Sequence, residues 1–176
     1  QTAWVRSGYA QREVSSLPNI ARSLGYETLF AHGATNGSMN FDGYTHQIGY
    51  QTYLGRTEFN DDRYYNGSWG IDDEPFLQFF AKKINQMKQP FLATVFTLSS
   101  HGPYKVPEPH NKRFNKVDML MHNVVEYSDY SIGKFFDTVK KESWYPNTIF
   151  AIIPDHTTED YYDFYKQKIA HHRLPI

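Results

Sequence analysis

The chain has 176 residues, with Lys+Arg 18 against Asp+Glu 19 and a formal net charge of −1. That length fits one domain or most of a larger one and buries a core without disulfide staples. So little net charge gives no long-range field for a polyanion, which excludes nucleic acid as the main partner. The 40% hydrophobic and 21% charged content excludes a disordered chain, and the lack of cysteine excludes disulfides, thiol nucleophiles and Cys-ligated zinc together.

Ser15-Ser16-Leu17-Pro18 opens a helix, with a Ser cap and Pro at its start; the helix covers 19–24 and stops at Gly25. Residues 26–31 are rich in β-formers and predict a strand. A loop comes next over 33–38, then a short helix over 40–49 and a brief strand over 52–54. Residues 55–73 are polar and aromatic without period, an irregular excursion. Asp72-Asp73-Glu74-Pro75 places acids in the first turn of a helix over 72–88, with Phe76, Phe79, Phe80, Ile84 and Met87 on one stripe and Lys82, Lys83 and Lys88 toward its far end. The apolar run 91–98 predicts a strand buried on both faces. After a proline-containing loop over 99–116, the longest helix covers 117–142, its apolar positions stepping by three and four.

Trp144-Tyr145-Pro146-Asn147 breaks that helix, and 148–153 predicts another buried strand. Strand, helix and strand form a crossover, so the fold class is α/β with parallel pairing. The tail is polar and aromatic, with helical potential over 161–169 and a strand start at 174–176. The longest apolar runs fall far short of the roughly 20 residues that span a bilayer. Gln1-Thr2-Ala3-Trp4 lacks both a Met start and the pattern of a signal peptide, so the chain reads as excised from something longer.

Ligands of open α/β sheets bind beyond the carboxyl ends of the strands. The three strongest strands run into His32-Gly33, Ser99-Ser100-His101-Gly102 and Pro154-Asp155-His156, so each delivers a histidine to that edge. Neighbouring side chains of a regular strand point to opposite faces, but Pro154 marks where the ladder ends. Beyond it the chain can turn and bring the Asp155 carboxylate and His156 imidazole onto one ion. A capping Asp beside a surface His explains the dipeptide equally well, and His32 and His101 read also as loop histidines bonded to carbonyls. His46, His110 and His122 lack the strand-end placement and read as surface or core residues. Adjacent side chains diverge, so His171-His172 is not read as a metal pair. Thr157 and Thr158 read as loop or cap residues.

Phe96-Thr97-Leu98-Ser99-Ser100-His101-Gly102-Pro103-Tyr104, Trp69-Gly70-Ile71-Asp72-Asp73-Glu74-Pro75-Phe76, the run from His32-Gly33 to Asn40, and Ile152-Ile153-Pro154-Asp155-His156 are all present. Together, and in their order along the chain, they resemble the C-terminal part of a sulfatase-type domain of the alkaline phosphatase superfamily, in the branch of lipoteichoic acid synthases and phosphoglycerol transferases. The resemblance implies a mostly parallel sheet flanked by helices, incomplete at both ends, with 1–176 forming one partial catalytic domain. It implies a metal-dependent phosphoglycerol or other phospho-group transferase, or a phosphoesterase, on lipid- or envelope-linked substrates. The setting it implies is extracytoplasmic, periplasmic or cell-surface, with the parent anchored in the inner membrane and no membrane segment in this chain.

By the same resemblance, Asp155 and His156 are ligands of a divalent metal (manganese, zinc, magnesium or calcium). His32 and His101 are catalytic, and with Asn40 they contact the phospho- or sulfo-ester substrate. A Trp and an Arg that grip phosphoglycerol in the synthases are replaced here by Met39 and Phe41, which removes a bidentate phosphate clamp and suits a related transferase or hydrolase better than a strict synthase. The family's nucleophilic threonine and its other metal-ligating acid lie upstream of the matched segment, so this fragment alone is expected to be inactive and to bind metal weakly.

Two rival readings stand beside this one. The same scaffold hosts sulfate-ester hydrolysis of the arylsulfatase type. Alternatively Trp4, Trp69, Tyr64, Tyr65 and Tyr161-Tyr162 form an aromatic platform of a non-catalytic carbohydrate-binding module.

Overall fold

The first helix, α1 (Leu17–Ser23), begins where the Ser-Ser-Leu-Pro run predicts. The Ser16 hydroxyl accepts from the Asn19 amide at 3.2 Å, and Pro18 occupies the first turn. The computed structural model describes residue 12, residues 14–114 and 118–156, and residues 163, 164, 166 and 167. Gly25, at φ +83°, turns the chain from α1 into β1 (Glu27–His32). With β2 (Thr52–Leu54) and β3 (Phe91–Phe96) it forms a three-stranded parallel sheet in the order β2-β1-β3. The register sets Leu29 opposite both Thr52 and Ala93, and His32 opposite Phe96.

Central β1 is buried from Thr28 through His32. Phe30, Tyr50 and Tyr53 form a core cluster on the sheet, with Phe41, Ile48, Leu92 and Phe96 packed against it. The first of these comes from α2 (Phe41–Gln47), which starts one residue later than predicted because Met39 and Asn40 hold left-handed φ of 52° and 61°.

The excursion over 55–73 is more ordered than its composition suggests. It contains α3 (Arg56–Phe59), a 3-10 turn at Asp62–Tyr64 and an antiparallel bridge between Tyr65 and Ile71. Next, α4 (Asp73–Ile84) buries Phe76, Leu77, Phe80, Ala81 and Ile84 and ends four residues short of the predicted 88. The loop after β3 holds a 3-10 turn (Glu108–His110) and α5 (Asn111–Phe114). In α6 (Leu120–Val139) the buried Val124, Tyr127, Ser131, Phe135 and Val139 step by three or four, the expected stripe. It lies on α4, where the Phe80 and Phe135 rings stack at 5.9 Å and the Thr138 hydroxyl donates to Gln78 at 2.7 Å. A second core of Val106, Phe114, Val124 and Tyr127 lies under the loop after β3.

Two strand expectations are corrected. β3 is half-buried along its whole length rather than buried on both faces, because it takes a ladder from β1 on one side and lies at the edge of the described sheet. Residues 148–153 carry no strand. An apolar run reports a tendency to burial, whereas a strand also needs a neighbour to take its backbone bonds. Here Ile149, Ile152 and Ile153 are exposed by 97%, 59% and 61%, so the parallel pairing belongs to β2-β1-β3 and not to a crossover through α6.

Backbone contacts divide the chain into two units, Gln1–Ser143 and Trp144–Ile176. The described part of the second holds a 3-10 turn (Tyr145–Asn147) followed by chain without a ladder through residue 156. Of the helix expected over 161–169, only 163, 164, 166 and 167 are described, and they carry turn and bend rather than helix; the rest of it and the strand start at 174–176 lie outside the described residues, as do Trp4, Thr157, Thr158, Tyr161, Tyr162, His171 and His172. No described helix is long and apolar enough to cross a membrane.

Candidate active site at the carboxyl edge of the sheet

In the first unit, β1 and β3 carry their histidines to the same edge of the sheet. His32 ends β1 and is 5% exposed, its ring packed against Phe41 at 4.8 Å and Phe96 at 5.1 Å. Its Nδ1 lies 3.0 Å from the Phe96 carbonyl oxygen. A carbonyl has no proton to give, so Nδ1–H is the donor and the lone pair of the neutral ring sits on Nε2. Burial pushes this imidazole below its ordinary pKa, against the smaller opposing effect of the Phe96 bond.

Beside His32 a short turn closes against the sheet edge. The Asn66 side-chain oxygen accepts from the amides of Ser68, Trp69 and Gly70 at 3.0, 2.8 and 3.3 Å, and the Asn66 amide donates to the Gly70 carbonyl at 2.8 Å. The Ile71 amide donates to the Gly33 carbonyl at 2.9 Å. A Cβ on Gly70 would stand 2.3 Å from that carbonyl oxygen, so glycine is what allows the two backbones to meet.

His101 follows β3 in a turn closed by its amide on the Leu98 carbonyl at 3.2 Å. The imidazole is exposed, and its centroid is 3.8 Å from that of the Trp69 ring. The Trp69 indole N–H donates to the Gly102 carbonyl at 2.5 Å, and His101 Nδ1 meets the same oxygen at 3.2 Å.

The start of this loop is held from α4. Buried Asp73 accepts from the Leu98 and Ser99 amides at 2.9 and 3.1 Å and from the Ser128 hydroxyl at 3.0 Å. In return, the Ser99 hydroxyl oxygen accepts from the Asp73 amide at 2.9 Å. Burial raises the Asp73 carboxyl even against these bonds. Its neighbour Asp72 is pushed up to about 7, first by burial and then by the Asp73 charge, with Lys105 opposing.

Asn40 is exposed at the start of α2, in the left-handed conformation, and the ring of the next residue, Phe41, packs on His32. An apolar ring therefore stands where the resemblance expects a phosphate-gripping Arg. A cavity of about 380 Å³ opens past the ends of β1 and β2, lined by Thr35, Arg56, Thr57, Asn60 and Asp62. Arg56 there makes a bidentate pair with Asp62 at 2.7 and 2.9 Å and rests 3.7 Å above the Tyr65 ring. Its fork is already filled, so it does not replace the missing clamp.

In the second unit, Asp155 and His156 are exposed, with Oδ2 and Nε2 3.4 Å apart. Two donors about 2.1 Å from a tetrahedral ion stand roughly 3.4 Å apart, so the adjacent pair has the separation one cation requires. Among the described residues no group of three or more His, Cys, Asp or Glu gathers around a common point.

The remaining described histidines fall where the sequence puts them. His46 bonds the Asp42 carbonyl and pairs with its carboxylate at the surface, His110 packs among Phe114, Tyr127 and Tyr130, and His122 lies on α6. Sequence reasoning missed the structural parts played by Asn66, Trp69, Gly70 and Asp73. Asp73 is legible only as an acid near a helix start, and the Trp69-Gly70 pair only as part of a motif.

A parallel sheet in the order β2-β1-β3, with helices alongside and histidines at its carboxyl edge, defines an α/β protein. The chain belongs to the Sulfatase family, whose model matches residues 2–175. It is 28% identical over 164 residues to lipoteichoic acid synthase 1 of Bacillus subtilis (strain 168), covering 88% of this chain and 25% of that protein. Among solved structures, an alkaline phosphatase superfamily protein from Vibrio parahaemolyticus superposes with a TM-score of 0.84 at 27% identity, over 99% of this chain and 43% of the other. The C-terminal periplasmic domain of EcEptC from Escherichia coli, solved in complex with Zn, shares the fold with a TM-score of 0.53 at 18% identity, over 72% of this chain and 39% of that one. The chain thus spans about a quarter of the length of the synthase it matches.

Proposed function

We propose that residues 1–176 are part of one catalytic domain that moves a phosphoglycerol-type or related phospho-group from a lipid- or envelope-linked donor to an acceptor, outside the cytoplasm, in a parent anchored to the membrane. The observation that carries this reading is the anchoring of His32 and His101 at the ends of adjacent parallel strands, each with Nδ1 bonded to a carbonyl. The family match and the likeness to a lipoteichoic acid synthase support the substrate class.

In this reading His32, Asn40 and His101 contact the substrate, and Asp155 and His156 contribute two ligands to a divalent metal. The donor set of one carboxylate and one imidazole suits zinc or manganese, and the Zn complex of the EcEptC domain supports the same class of ion. The cation supplies charge neutralisation at the phospho-group and a lowered pKa for the attacking hydroxyl. His32, held neutral by burial, offers a lone pair at Nε2 and so meets a hydroxyl proton of donor or acceptor. His101 meets the transferred group or its leaving oxygen as a hydrogen-bonding and proton-transferring group.

The test uses the full-length protein with phosphatidylglycerol vesicles and a divalent cation, reading release of diacylglycerol. Turnover that falls at least about 100-fold in His101→Gln and Asp155→Asn is expected. Turnover of aryl sulfate alone would move the assignment to sulfate-ester hydrolysis, and glycan binding without turnover of either would leave the carbohydrate module.

A further inference from the structure

The contact between Trp69 and the His101 loop has a geometry that packing alone does not require. Two donors converge on one acceptor: the indole N–H and His101 Nδ1 both reach the Gly102 carbonyl oxygen, at 2.5 and 3.2 Å. The indole also lies against the imidazole, with centroids 3.8 Å apart and planes inclined by 39°. The carbonyl that His101 uses belongs to the very next residue, on the same loop. Such a carbonyl fixes a tautomer only if something else fixes the carbonyl.

Trp69 meets that condition, because the turn that carries it is itself immobilised. The Asn66 oxygen gathers three successive amides, and the Tyr65–Ile71 bridge closes the turn. Gly70 and Ile71 sit on the Gly33 backbone at the end of β1. On the other side of His101, Asp73 grips Leu98 and Ser99. The loop is therefore held before the histidine by a carboxylate and after it by an indole, both from the segment 66–73.

We propose that Trp69 is a positioning residue that, by holding the Gly102 carbonyl and walling the imidazole, locks His101 in the Nδ1–H tautomer and presents Nε2 to the substrate. This deepens the proposed function and rests on its assignment of His101 to the substrate. A neutral imidazole free in water prefers the Nε2–H form, with its lone pair at Nδ1; the lock moves the lone pair to Nε2, where the ring takes up from a hydroxyl the proton that it then gives to the leaving oxygen. The lock sets which nitrogen takes part and what it carries, and His32 reaches the same state through the Phe96 carbonyl.

Long-range proton–nitrogen NMR of the full-length protein labelled at histidine nitrogens tests the lock without any turnover assay, with His101→Gln assigning the signal. The expected spectrum at alkaline pH shows His101 in the Nδ1–H form. In Trp69→Ala its signal moves toward the Nε2–H form; in Trp69→Phe, which keeps a ring wall and loses the indole donor, the shift is smaller. In the vesicle assay Trp69→Ala lowers kcat about 10- to 100-fold and leaves KM within about twofold. An Nε2–H tautomer in the unaltered protein overturns the proposal. So does an unchanged His101 signal in a Trp69→Ala protein whose other histidine signals show the fold intact. A lost lock with unchanged kcat keeps the positioning role and removes the substrate contact assigned to His101, so the two readings fail separately.

Discussion

Asp72→Asn isolates the electrostatics beneath the His101 loop. Asp72 adjoins Asp73, and burial with that neighbouring charge raises its carboxyl from 3.8 to about 7. A raised acid means that the folded state holds the proton more tightly than the unfolded state. Stability therefore falls as pH climbs from about 4 through about 7, and the whole penalty is in place above that. A shift of about three units corresponds to about 4 kcal/mol. Asparagine keeps the shape and abolishes the charge, so Asp72→Asn is expected to be nearly neutral at pH 4 and to stabilise by up to about 4 kcal/mol at pH 8. Denaturant melts of the wild type and variant across that range read the difference directly. Stability curves that run parallel from pH 4 to pH 8 would refute the reasoning, because a packing effect has no reason to follow the titration.

Gly70→Ala drives a methyl group to 2.3 Å from the Gly33 carbonyl oxygen, and a loss of about 1–3 kcal/mol is expected in the same melts. Asp73→Ala strands the Leu98 and Ser99 amides in the interior; a loss of about 3–5 kcal/mol and faster hydrogen exchange at both amides are expected. His32 has a lowered pKa because the folded state resists its protonation, so it contributes stability above pH 6.5 that is lost as pH falls below that value; His32→Asn should flatten that acid limb. Calorimetric titration of the 176-residue chain with zinc or manganese should show no tight site, since two protein ligands rarely suffice, and a submicromolar site would mean ligands beyond Asp155 and His156.

The sheet and the long helices are legible because their signals are local. The stripe of α6, the acids opening α4 and the β-rich run of β1 each rest on a short stretch of sequence, and each lies within a few residues of its predicted place. The strand-end rule then finds His32 and His101 without help from the turns between. Partnership is not local and is not legible. The runs at 91–98 and 148–153 look alike in sequence, yet one pairs with β1 and the other has no ladder. Composition likewise gives no sign that residues 65–71 fold into a bridged turn, because the signal there is one Asn side chain bonding three amides and one glycine permitting contact with Gly33.

The exchange of a phosphate-gripping Arg for Phe41 acquires a physical meaning beside His32. An anion placed against Phe41 and Phe96 would lose water and gain no cation, a cost of several kcal/mol. A hydroxyl placed there keeps its proton donor satisfied by Nε2 and costs little. Under the proposed function the His32 side of the edge therefore suits the uncharged, hydroxyl-bearing part of a substrate, and Arg56 cannot alter that while Asp62 fills its fork. The polar side is the exposed His101 loop, where the imidazole is fixed by Trp69 and the backbone by Asp73. Under the proposed function a substrate with a hydroxylated arm fits the His32 side, and a flat aromatic sulfate lacks a group to place there.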